Sequence, residues 1–145
     1  ALVGTDARYL EDEGLALDDV AGVIALDGAA YDATARDLDL GLLGSFLYAG
    51  PFGNDPARKA ALSPTLQAGA PNVGKFLLLH VQRRDAIAQA GALQSALSNG
   101  GSSVTLRGFP GRGLQGHNEI NNRLGDADYP ATRIVDDWLA EVVGG

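Results

Sequence analysis

Lys75 to Val81 reads KFLLLHV, and no other stretch of this chain restricts its fold so much. A near-continuous apolar run of strand length suits a strand covered on both faces, which is the situation inside parallel sheets. Its surroundings agree with that. Pro71-Asn72 breaks the chain before it, and Ala86 to Leu97 afterwards carries small and apolar residues at helical spacing, stopped by Asn99-Gly100-Gly101. "SVTLRGF" from Ser103 to Phe109 reads as a further strand. "VAGVIALDG" from Val20 to Gly28 reads as an earlier one, ended by Asp27-Gly28. Ala131 to Val143 predicts an amphipathic helix with Ile134, Val135, Trp138, Leu139 and Val142 on one face. A short helix is expected over 118–124, and residues 1–10 read as the end of a helix. Alternation of strand and helix implies an α/β fold with about three mainly parallel strands and flanking helices. The whole of 1–145 forms one domain in this reading, with 31–65 an irregular, lid-like connection and Pro56 placed to start a short helix.

Composition removes several classes of function. A net charge of -7 argues against nucleic acid as a partner, because phosphate binding needs a basic face. With no cysteine, disulfides, thiolate metal sites and cysteine nucleophiles are excluded. No apolar run reaches the roughly 20 residues needed to span a bilayer, so no membrane association is expected. Ala1-Leu2-Val3-Gly4 lacks the basic stretch of a signal peptide, and a cytoplasmic location is the expectation. The absence of methionine fits a processed or excised piece with further chain upstream.

Functional groups in open α/β sheets collect beyond the carboxyl ends of the strands. Beyond KFLLLHV lies Gln82-Arg83-Arg84-Asp85, which puts a carboxylate before the next helix. Beyond SVTLRGF lies PGRGLQGH, which puts His117 in a glycine-rich loop. An acid and a histidine on neighbouring loops are what an acid–histidine pair requires: the acid fixes the imidazole tautomer and stabilises the imidazolium. Blander roles stand beside these. Asp85 also suits a helix N-cap, His117 an ordinary helix-start histidine, His80 a packed core residue, and Arg83 with Arg84 a solvated loop face. Gly111, Gly113 and Gly116 spell a dinucleotide-type G-x-G-x-x-G, but Pro110 intervenes and no strand-end acid follows. "GAPNVGK" nearly spells a P-loop, but Phe76 stands where a hydroxyl must hold magnesium and the stretch precedes a strand. Two histidines far apart give zinc no support, and no cofactor is implied.

"ALVGTDARYL", "GVIALDGAAYD", "FLLLHVQRRD" and "GHNEINNRLGDADYPAT" together resemble successive blocks of bacterial carboxylesterases of the α/β-hydrolase fold. The resemblance covers essentially the whole chain, but only the second half of such an enzyme. It implies a partial α/β-hydrolase fold and a serine-type carboxylic ester hydrolase, in the chain order serine, acid, histidine. Asp85 resembles the family acid, one residue further from His80 than the family spacing, and His117 the family histidine. The G-x-S-x-G elbow is absent, so the resemblance implies a serine from a partner chain or from a non-standard position, Ser45 or Ser63. It implies further that the strand near Val23–Leu26 has lost its neighbour. The expected state is therefore a homo-oligomer or a complex with the missing N-terminal half. The substrate implied is a small-molecule ester, and Phe46, Leu47, Tyr48 and Phe52 suit either its acyl pocket or the ordinary core. The competing expectation is a catalytically inactive fragment that serves only as a structural or oligomerising module.

Overall fold

A computed structural model of the chain describes residues 1–35, 52–69 and 71–144. Three strands, β1 (Val23–Leu26), β2 (Lys75–Val81) and β3 (Ser103–Phe109), form a parallel sheet in the order β1-β2-β3. Register runs from Val23 opposite Phe76 to Leu26 opposite Leu79, and from Lys75 opposite Ser103 to Val81 opposite Phe109. This is the generic α/β architecture expected from the alternating pattern. Among the described residues, β1 and β3 are the sheet's edges.

The apolar run of β2 is explained by its place in the centre. Side chains alternate across a strand. Phe76 and Leu78 enter one core with Ala90, Leu93 and Leu97, while Leu77, Leu79 and Val81 enter another with Phe109, Ile120, Ala131 and Val135. The first core is closed by the helix joining β2 to β3, and the second by the two helices that follow β3. Each fully buried leucine of this strand stabilises the fold by roughly 1.5–3 kcal/mol.

The helices are α1 (Arg8–Glu11), α2 (Pro56–Ala61), α3 (Pro64–Gln67), α4 (Arg84–Asn99), α5 (Gly113–Arg123) and α6 (Pro130–Val143). Single turns of 3-10 helix occupy Leu2–Gly4 and Leu17–Asp19. The first ten residues thus form two separate turns in place of one helix end. Strand β1 is shorter than the apolar run around it. Val20 closes the preceding 3-10 turn, and Asp27 leaves the extended conformation at φ 43°.

Within the described part of 31–65 the short helix expected at Pro56 is present, and a second begins at Pro64. Asp55 caps α2 by accepting from Ala57 N at 3.1 Å, and Pro56 and Pro64 start two short helices from positions where a missing N–H costs nothing. Phe46, Leu47 and Tyr48 lie outside the described residues, and Phe52 is half-buried. No helix among the described residues is long and apolar enough to cross a membrane.

Candidate functional site

Asp27, just past β1, joins the end of β2 to the helix that follows β3 through its carboxylate. Its backbone N–H continues the β1–β2 ladder by donating to Leu79 O at 2.7 Å. The chain then turns left-handed, a conformation that Asp tolerates better than most residues because its short side chain can bond locally. This turn carries the side chain across the end of β2, where Oδ1 accepts from Val81 N at 2.9 Å. Asp27 is fully buried, and its Oδ2 lies 2.8 Å from His117 Nδ1.

A carboxylate oxygen can only accept here, so His117 Nδ1 donates, and in the neutral form of the ring Nε2 is the nitrogen able to take a proton. The His117 side chain is 36% exposed, and among the described residues Nε2 has no hydrogen-bond partner. A buried acid that fixes the tautomer of a half-exposed imidazole is the arrangement general-base chemistry needs.

His117 lies in the second turn of α5, a helix that starts earlier than the expected 118–124 and takes in the glycine-rich segment. Two glycines set the angle at which α5 leaves the sheet. A Cβ on Gly116 would fall 2.6 Å from the Gly111 carbonyl carbon, and one on Gly111 would fall 2.9 Å from Gly116 Cα. Gly111 also takes φ 115°, and its carbonyl accepts from Gln82 N at 2.9 Å, which ties this loop to the end of β2. The G-x-G-x-x-G spacing therefore stands at a strand-to-helix turn, where its outer glycines pack on each other.

The segment after β2 adds a cation. Arg83 donates from Nη2 to Asp27 O at 3.1 Å, and the same nitrogen lies 3.2 Å from Asp27 Oδ2. Its Nη1 donates to Asp85 Oδ2 at 3.3 Å, and the side chain is only 14% exposed. This corrects the reading of Arg83 as a solvated residue; Arg84 is exposed as expected. Asp85 sits in the first turn of α4, whose N-cap is Arg83, so it does not cap the helix. The structure joins His117 to Asp27, not to Asp85, which reaches the pair only through Arg83.

The turn after β1 is tightly built. Ala30 has φ 57°, and Tyr31 folds back so that its hydroxyl oxygen accepts from Gly28 N at 3.1 Å, where a side chain on Gly28 would collide with the phenol. Burial pushes the Tyr31 phenol up to about 12; the Gly28 hydrogen bond opposes the rise, and nearby Asp27 adds to it.

Of the two serines proposed as nucleophiles, Ser45 lies outside the described residues. Ser63 is fully buried; its hydroxyl donates to Lys59 O at 2.7 Å and accepts from Ala33 N at 2.8 Å. That hydroxyl knits α2 to the chain after β1 and makes no bond to His117. His80 is a core residue as expected, donating from Nδ1 to Val81 O at 3.0 Å.

A cavity of about 230 Å³ between Phe109, Pro110, Tyr129 and Pro130 has Glu119 and Arg123 at its edge. With ~100° between successive helix residues, Glu119 stands about 200° around α5 from His117, so this cavity opens on the other flank of the helix. No cluster of His, Asp or Glu among the described residues is suited to a metal ion.

Asp27 and Arg83 are the site residues that sequence reasoning missed. The signal for Asp27 was present: it follows an apolar strand at its carboxyl end, where Asp85 and the histidine loop were sought for the other two strands. Neither a protein-family model, nor a curated protein, nor a solved structure matches this chain.

Proposed function

We propose that this chain carries the acid and the base of a serine-type ester hydrolase, with His117 as general base and Asp27 as the acid that orients it. One observation carries the reading: the 2.8 Å contact of His117 Nδ1 with a fully buried carboxylate, which leaves Nε2 as the free proton acceptor. In the reaction a serine hydroxyl attacks the ester carbonyl carbon while its proton passes to Nε2. The imidazolium then gives that proton to the departing alkoxide, and a water molecule repeats the sequence to release the acid.

The serine belongs to a partner chain or to a segment outside the described residues. Among the described residues no strand pairs with the outer edge of β1, which favours the first source. A parallel strand added there would end beside Asp27, bringing a strand-end residue to the pair. The substrate class is a small carboxylic ester. A second reading, a non-catalytic structural module, draws on the engagement of Ser63 in structural hydrogen bonds.

Hydrolysis of p-nitrophenyl acetate and butyrate by the purified chain, beside His117→Ala and Asp27→Asn, tests the proposal. Loss of turnover on the order of 10²-fold or more in both variants supports it. Turnover indifferent to His117, or none in the parent chain alone and none with any added partner half, would favour the structural module.

A further inference from the structure

Arg83 is held where it can act on the acid–histidine pair without touching the histidine. Its backbone is pinned at both ends: its N–H donates to Val81 O at 2.8 Å, and its carbonyl accepts from Ile87 N at 3.0 Å in the first turn of α4. The guanidinium then spans two carboxylates. One nitrogen stands 3.2 Å from Asp27 Oδ2, and the other 3.3 Å from Asp85 Oδ2. The oxygen that Arg83 faces on Asp27 is the same one that accepts from His117 at 2.8 Å. Nη2 donates to Asp27 O at 3.1 Å and pairs with Oδ2 as a charge, and a cation beside a carboxylate oxygen weakens that oxygen as an acceptor for His117. Asp85, from the other side, draws on the same cation. Its side chain makes no bond to Asp27 or His117 among the described residues, so its path to the ring runs through Arg83. The Nε of Arg83 is buried and has no hydrogen-bond partner among the described residues. The guanidinium is thus held through its two terminal nitrogens, Nη2 by Asp27 and Nη1 by Asp85. Tyr31 is the other titratable group at this turn, near both Asp27 and Arg83, with its hydroxyl engaged by Gly28.

We propose that Arg83 is a positioning residue whose guanidinium, shared between Asp27 and Asp85, sets how firmly Asp27 holds the His117 ring. When Asp85 draws the cation away, Oδ2 is freed for His117 and the Nδ1–H bond strengthens. When the Asp85 carboxylate is replaced by an uncharged group, Arg83 leans fully on Asp27 and that bond weakens. The functional consequence rests on the reading of His117 as the working base; the coupling itself does not.

Proton and nitrogen NMR of the His117 ring in the whole chain tests the coupling, since the Nδ1–H resonance moves downfield as its hydrogen bond strengthens. Arg83→Met is expected to move it downfield, and Asp85→Asn upfield. In the Arg83→Met background, Asp85→Asn is expected to have no further effect. Should Arg83→Met fail to fold, Asp85→Asn and Arg83→Lys decide the matter. Both keep a cation at 83, and an unmoved resonance in Asp85→Asn would overturn the proposal. Additive shifts in the double variant would overturn it too, because Asp85 would then act without Arg83. The expected shifts in a chain with no esterase turnover, alone or with an added partner half, would leave the coupling standing and sink only the catalytic reading. Intact turnover with no coupling would do the reverse.

Discussion

Gly116 rests against Gly111, so closely that the backbone of one occupies the space a Cβ on the other would need. His117 follows immediately, and the direction of its side chain is therefore fixed by a contact between two residues that have no side chains. Gly116→Ala sets two effects against each other. Alanine favours a helix by about 1 kcal/mol over glycine. The collision, however, is with backbone, which no rotamer change relieves. The collision is expected to win, with a net loss of about 1–3 kcal/mol in denaturant unfolding and weakened contact between His117 and Asp27 by ring NMR. A more stable variant would show that α5 can slide away from Gly111 at little cost.

Asp27 combines a buried charge with a left-handed backbone, and two substitutions separate these roles. Asn tolerates φ near 43° and keeps an acceptor, but it removes one of the two anions that Arg83 spans and leaves Asp85. Ala loses both. Asp27→Asn is expected to lower stability by about 1–3 kcal/mol, and Asp27→Ala by roughly 1 kcal/mol more. Chemical denaturation of the two variants side by side gives the comparison, and equal stabilities would mean that the left-handed turn carries no strain.

The raised Tyr31 phenol makes a prediction at alkaline pH. An acid that holds its proton more tightly when folded than when unfolded contributes stability that is complete below the unfolded value, near 10, and is lost as pH rises toward the folded value of about 12. Unfolding free energy is therefore expected to fall across that window, by about 2–3 kcal/mol from this group. Tyr31→Phe should be less stable at neutral pH, where Gly28 N loses its acceptor, and should show a flatter alkaline decline. Parallel declines in the two proteins would assign the loss to other groups.

Ser63 is expected to behave as a structural residue. Removing a fully buried hydroxyl that donates once and accepts once leaves Ala33 N and Lys59 O unpaired. Ser63→Ala should cost about 1–3 kcal/mol in stability and leave the His117 ring signals unchanged. A fluorophosphonate label mapped to Ser63 would contradict this assignment.

Much of the framework could be read from the sequence because it is written in period and composition. The run from Lys75 to Val81 is apolar on both faces because both faces are covered, and the strand from Ser103 to Phe109 ends where it was expected to. Helix α6 needed only its apolar spacing. The site was only half legible. His117 stands out because it ends a glycine-rich stretch beyond a strand. Its partner was misassigned because Asp85 stands in the loop just beyond the neighbouring strand, whereas hydrogen bonding depends on which side chain crosses the end of β2. Asp27 makes that crossing through a single left-handed residue, and no periodicity records such a turn. Arg83 was equally hidden: paired arginines look solvated until a buried carboxylate is known to stand opposite one of them.

The bond from Val81 N to Asp27 Oδ1 gives the site a built-in gauge. Strand β1 ends at Leu26, so the last amide of β2 is satisfied by the side chain of the acid that also holds the imidazole. Solvent exchange at this one amide should therefore quicken whenever Asp27 lets go. A ligand or partner chain that rearranges the acid could then be detected without a substrate, from a single proton at the edge of the core.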